Sequence, residues 1–94
     1  MADGTVKRQI AAKVRQAFAP LRLEVVDDSE RHRGHSGYRE GGESHFQLTI
    51  VSDVFSGKRR VERHRLVNSV LAEELAGPVH ALAITTLAPE EDSA

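Results

Sequence analysis

Five histidines and no cysteine are the residues from which any metal chemistry in this 94-residue chain has to be built. His32 and His35 fall in the glycine-rich stretch between Asp27 and Gly42, flanked by two strand-like runs, and His80 opens the last such run. Soft metal centres take thiolate or imidazole ligands, so a site here rests on imidazole or borrows thiolate from a second molecule. Lack of cysteine also removes disulfides, C-x-x-C redox chemistry and thiol nucleophiles.

Other residue types offer weaker chemistry. Ser29, His32 and Asp27 or Asp28 have the composition of a triad, but sequence proximity does not supply triad geometry and no GxSxG turn accompanies them. Glu40 and Glu43 flank a glycine pair that cannot hold two carboxylates rigidly for acid/base work. No catalytic residue is assigned, and the chain is expected not to be an enzyme. Lys58, Arg59, Arg60, Arg63 and Arg65 form a basic cluster leading into a helical segment, a candidate contact for phosphates. Against that stands a single glycine in Ser56-Gly57-Lys58-Arg59, where backbone-clamping KH domains carry GXXG. Phe55 is the lone aromatic beside it, so the interleaved stacking groups of single-strand binders are missing.

The elements that must position these residues are legible in the hydrophobic pattern. Val6, Ile10, Val14 and Phe18 recur every four residues and predict a helix that Pro20 ends. Leu21 to Val26 predicts a first strand with Leu21, Leu23 and Val25 on one face. Ser29, Gly34, Ser36, Gly37, Gly41 and Gly42 then mark a long loop, and loops of that length in small domains carry function or move. His45 to Val51 alternates, with Phe46, Leu48 and Ile50 facing one way and His45, Gln47 and Thr49 the other. A second helix is predicted from about Arg60 or Glu62 to Leu75, with Leu66, Val67, Val70, Leu71 and Leu75 as its apolar stripe and Gly77-Pro78 as its stop. His80 to Leu87 is the third strand, and the tail from Ala88 is a frayed end or one short turn.

Two strands joined through a full helix can lie parallel in one sheet. If the first two strands pair as antiparallel neighbours, the loop and the start of the third strand share one end of the sheet, which brings His80 near His32 and His35. Both helices then cover one face, giving an α+β two-layer sandwich of order α-β-β-α-β with a three-stranded mixed sheet. His45 is expected to be structural, through a hydrogen bond across the sheet or at the loop, and His64 to be structural or interface-forming, because its arginine-rich setting offers no obvious metal partner.

With 39% hydrophobic residues and a net charge of -1, the chain reads as one small soluble domain over residues 1–94 with flexible ends at about 1–4 and 88–94. A core burying roughly 60 to 70% of the unfolded surface is within reach at this size. No run approaches the roughly 18 apolar residues of a membrane span. The start, Met1-Ala2-Asp3-Gly4, lacks a secretory layout, so a cytoplasmic location without membrane association is expected. Near-neutral charge argues against a strong general attraction to nucleic acid.

Leu23-Glu24-Val25, Ser29, His32, Glu43-Ser44-His45-Phe46, Val51-Ser52, Phe55, Gly57, Arg63-His64-Arg65-Leu66-Val67, Leu71-Ala72-Glu73-Glu74-Leu75 and His80-Ala81-Leu82 together resemble the BolA family over nearly the whole chain. The SHF, RHR and HAL signatures occur in order, each on a separate element. The resemblance implies a class II KH-like fold. It implies association with a monothiol glutaredoxin, in a heterodimer that shares a [2Fe-2S] cluster with glutaredoxin and glutathione, and roles in iron homeostasis, stress response or transcription regulation. By resemblance His80 is the C-terminal ligand and His32 occupies the loop-ligand position, with His35 as the alternative in this longer loop. The isolated chain is expected to be a monomer without a cofactor. A cysteine-free chain agrees with this, because histidine replaces cysteine at one iron of Rieske-type clusters. Ligation needs the neutral ring, so cluster affinity is expected to weaken as pH falls below about 6.5. Members of the family have also been regarded as DNA-binding regulators, which makes the basic cluster the competing site.

Overall fold

A computed structural model describes residues 5–27 and 45–92; His32 and His35 lie outside the described residues. Helix α1 spans Thr5–Phe18, strand β1 Arg22–Asp27, strand β2 His45–Val51, helix α2 Arg60–Val70, helix α3 Ala72–Ala76 and strand β3 Ala81–Leu87. Single 3-10 turns occupy Asp53–Phe55 and Pro89–Glu91. The sheet order is β1-β2-β3, with β1 antiparallel and β3 parallel to the central β2. This is the expected α+β arrangement.

The core follows the helical and strand periods. Ile10, Val14 and Phe18 from α1, Phe46, Leu48 and Ile50 from β2, and Val67 and Leu71 from the helical arm form one buried cluster with Phe55 and Val79. Leu23 and Val25 of β1 and Leu82 and Ile84 of β3 pack against it, so the helices share one face of the sheet. Alternate residues Glu24, Val26, Gln47, Ala81, Ala83 and Thr85 are exposed, as a strand period of two requires. Ala19, in the left-handed region at φ 45°, donates its N–H to the Arg15 carbonyl and closes α1 just before Pro20. Gly57, at φ 77°, supplies the positive φ of the turn that leads toward α2.

Three expectations shift. Leu21 is 69% exposed, because it sits in the bend before β1 and bonds the end of β2 through its N–H rather than joining the core face. The single second helix is two segments that meet at Leu71, whose backbone opens to φ −102°, ψ 21° while its side chain is wholly buried. Hydrogen bonds from Leu71 to Val67 and from Leu75 to Leu71 persist across the junction, so α2 and α3 act as one bent arm. At the C-terminus the short-turn alternative holds: Glu91 pairs with Arg63, and Asp92 takes two bonds from the Arg22 guanidinium at 2.8 and 3.1 Å.

Polar groups lock the end of the sheet where β2 and β3 finish. Ser52, with no exposed surface, donates its hydroxyl to the Phe18 carbonyl at 2.6 Å and accepts the Val54 N–H at 3.2 Å. It thereby ties the end of α1 to the turn below β2, where Phe18 and Phe55 meet with ring centroids 5.2 Å apart. Replacing Ser52 by Ala leaves a buried carbonyl and an N–H without that partner. The expected cost is about 1–3 kcal/mol, read as a lower urea midpoint with an unchanged slope.

Three carboxyls, Glu62, Glu73 and Glu91, are held below their ordinary range. The main causes are the Arg59 backbone N–H for Glu62, Lys13 for Glu73, and the Arg63 guanidinium followed by the Ala88 N–H for Glu91. A carboxyl whose folded pKa lies below its unfolded value stabilises the fold above the unfolded value, and that contribution disappears as pH falls through the folded one. Urea midpoints should therefore drop as pH falls into and below the ordinary carboxylate range of about 4. Glu91→Gln should be less stable at pH 7 and show a shallower acid decline.

Candidate functional site at the open end of the sheet

The strand register decides which chain segments meet. Asp27 of β1 pairs with Phe46, and His45 of β2 pairs with Ala81, the residue that follows His80. The end of β1, the start of β2 and the start of β3 consequently lie at one end of the sheet. The segment carrying His32 and His35 leaves from Asp27 and returns at His45. His80 is exposed at that end. Adjacent strands stand about 4.8 Å apart, so the two roots of that segment and His80 are all within the width of three strands.

His45 occupies a place that the alternation of β2 does not assign to the site. It is 8% exposed, and its ring lies 6.2 Å from the His80 ring, centroid to centroid, with planes 22° apart. A signal for this is present in the pattern: two parallel strands that each begin at or just after a histidine bring those histidines together once the register aligns their starts. His64, by contrast, is half-buried on α2.

Among the described residues no group of three His, Cys, Asp or Glu side chains is placed to hold a metal ion. The described donors at this end include the imidazoles of His45 and His80, whose neutral nitrogen suits iron, copper or zinc, beside the Asp27 carboxylate, and two imidazoles fall short of a full ligand set. That chemistry fits a metallocluster completed by thiolates from a second molecule. When bound, such a cluster supplies one-electron chemistry and a transferable iron-sulfur unit. Of the two imidazoles, His80 is the exposed one, immediately before β3.

The basic cluster is rearranged by the fold. Lys58, Arg59, Arg60 and Arg65 are exposed, but Arg63 is only 8% exposed and turned inward. Its guanidinium donates to the Lys58 carbonyl at 2.9 Å, the Thr86 carbonyl at 3.2 Å and both Glu91 oxygens at 2.6 and 3.3 Å. Arg63 thus joins the entry to α2, the end of β3 and the C-terminal turn, and its charge is neutralised there. A groove of about 370 Å³ at this end is lined by Lys58, Arg60, Arg63, Thr86, Leu87 and Glu91. A second groove, of about 430 Å³, runs between α1 and α3. Lys13 spans it to Glu73 and Glu74, both at 2.8 Å, an ion-pair arrangement that ties the two helices. Among the described residues no helix is long and apolar enough to cross a membrane.

Comparison with known proteins agrees with this geometry. Residues 14–91 match the family described as BolA-like protein. The Escherichia coli (strain K12) protein named DNA-binding transcriptional regulator BolA is 48% identical over 86 residues, covering 92% of this chain and 78% of its own length. BolA-like protein 1 of Mus musculus is 44% identical over 90 residues, covering 96% of this chain and 63% of the mouse protein. Among solved structures, the BolA domain of SufE1 from Arabidopsis thaliana superposes with a TM-score of 0.85 at 43% identity, covering 97% of this chain and all of that one. The solution structure of BolA1 from Mus musculus gives 0.77 at 43% identity, over 96% of this chain and 70% of that one. With its three signatures on β2, α2 and β3, a matched sheet topology and relatives near half identity, the chain belongs to the BolA-like protein family.

Proposed function

We propose that this chain is a non-enzymatic adaptor that pairs with a monothiol glutaredoxin and supplies imidazole to one iron of a [2Fe-2S] cluster. The remaining ligands come from the glutaredoxin cysteine and glutathione, and the complex serves cluster trafficking or iron and redox regulation in the cytoplasm. The observation that supports this most is the exposed His80 at the sheet end where the segment bearing His32 and His35 is rooted. Chain length is compatible: His32 lies five positions after Asp27, a reach of up to about 17 Å, more than the width of three strands. His35 lies ten positions before His45, so the other tether is longer still.

The role of the chain's residues then follows from simple coordination chemistry. An imidazole is a neutral ligand, so its loss leaves no stranded thiolate charge on this chain. Exposure of His80 permits a second protein to approach it without unfolding the sheet. Mixing the chain with a cluster-loaded monothiol glutaredoxin tests the reading. His80→Ala should alter the visible absorption and circular dichroism of the mixed cluster and weaken its retention by about tenfold or more, the scale of a lost ligand or ligand support. His64→Ala should leave both near wild type. Single His32→Ala and His35→Ala changes should differ from each other, the larger change identifying the loop ligand. Equal spectra for His80→Ala and His64→Ala would defeat the proposal.

A second reading has a specific observation in its favour: four exposed cations, Lys58, Arg59, Arg60 and Arg65, cluster at the start of α2, and a relative is named a DNA-binding regulator. On this reading the chain grips DNA phosphates through those four residues, without Arg63. Binding to a DNA duplex should then fall steeply with salt, and replacing Lys58, Arg59 and Arg60 by Ala should flatten the log–log slope by about 0.9 for each phosphate that is no longer neutralised. A slope unchanged by the triple substitution, or no duplex binding at low salt, rules it out.

A further inference from the structure

Ligation through His80 asks an exposed side chain to hold one direction. A metal bonds an imidazole in the plane of the ring, along a nitrogen lone pair, so both side-chain torsions of the histidine must be correct at once. An exposed histidine at the edge of a bend is free to sample several staggered rotamers, and selecting one of them on binding costs conformational entropy. Metal sites commonly meet that demand with a second residue that orients the ligand.

The structure contains such a residue. His45 is the first residue of the central strand, whose backbone is bonded on both sides, so its Cα is among the better-fixed positions at this end. Its ring is almost fully removed from solvent, while His80 beside it is exposed. The two rings lie nearly parallel at 6.2 Å. Directly across the parallel ladder from His45 stands Ala81, the residue that follows His80. Burial leaves His45 little surface for a second molecule to reach, which separates its role from that of a ligand.

We infer that His45 is a positioning residue for His80: a fixed flat ring that restricts the exposed imidazole to one orientation before any metal arrives. The inference rests on the ligand reading for its purpose, but its content concerns the isolated chain and is tested there. A flat, buried ring is the required feature, so Phe should substitute for His45 and an aliphatic or small residue should not.

The experiment is solution NMR on the isolated, histidine-labelled chain, reading the His80 χ1 populations from three-bond couplings. One rotamer should dominate in wild type and in His45→Phe, and at least two should be populated in His45→Ala. Should His45→Ala fail to show a cooperative melt, His45→Leu takes its place, filling the volume without a plane, with the same dispersal expected. Dispersed His80 rotamers in wild type, or a single rotamer retained in the Ala or Leu variant, overturn the inference. A second measurement uses the mixed complex with cluster-loaded monothiol glutaredoxin. The electron paramagnetic resonance spectrum of the reduced cluster should broaden or split in His45→Ala and return to the wild-type form in His45→Phe, with cluster retention falling about 10- to 100-fold only in the former. If His80→Ala leaves that spectrum untouched, ligation by His80 fails, whereas the rotamer result continues to stand or fall by itself.

Discussion

The mixed pairing of β2 is the constraint on which the site depends. A central strand with one antiparallel and one parallel neighbour sends the end of β1, its own start and the start of β3 to a single rim. A one-residue slip in the parallel register would turn alternate side chains of β3 to the opposite face, moving Leu82 and Ile84 out of the core. The same register that buries these apolar residues therefore also fixes where His80 stands. Core packing and the position of His80 are two consequences of one ladder.

The two ends of the sheet divide the work of the molecule. At the end where β2 and β3 finish, buried Ser52, the Arg63 guanidinium, the Arg22–Asp92 pair and the Phe18–Phe55 contact tie α1, α2 and the C-terminal turn together. Bonds to charged groups contribute more than neutral ones, and the Arg63 network satisfies carbonyls that its removal would leave without a partner. The described residues at the opposite end include the exposed Asp27 and His80. The RHR signature on α2 belongs to this division: its first arginine is spent on internal closure and its last is exposed.

Periodicity makes most of the fold legible. Four-residue spacing marks α1, strict alternation marks β2 to its residue limits, and the helix between β2 and β3 accounts for their parallel pairing. Features that depend on tertiary geometry rather than on period escape the pattern. Leu21 scans as a core residue because leucine is apolar, yet the bend before β1 turns it outward. Leu71 continues the apolar stripe and still interrupts the helix, since the core draws its side chain fully inside. Arg63 is indistinguishable by composition from its exposed neighbours, and only the folded positions of Lys58, Thr86 and Glu91 reveal its inward bonds. His80 and His45 both stand at strand starts, but strand parity assigns His45 only a face, and its place beside His80 emerges only when the parallel register aligns the two starts.

On the proposed function, the asymmetry of exposure between the two histidines bears on how a shared metal centre is released. A ligand built entirely from buried, rigid groups binds tightly and lets go slowly, because dissociation requires local opening of the fold. An exposed ligand with no orienting neighbour exchanges readily but loses affinity to rotamer freedom. On the proposed roles, an orienting ring in the buried central strand and a ligating ring at the exposed start of the next separate the two requirements. Orientation is then supplied by the fold, and exchange by the exposure of His80.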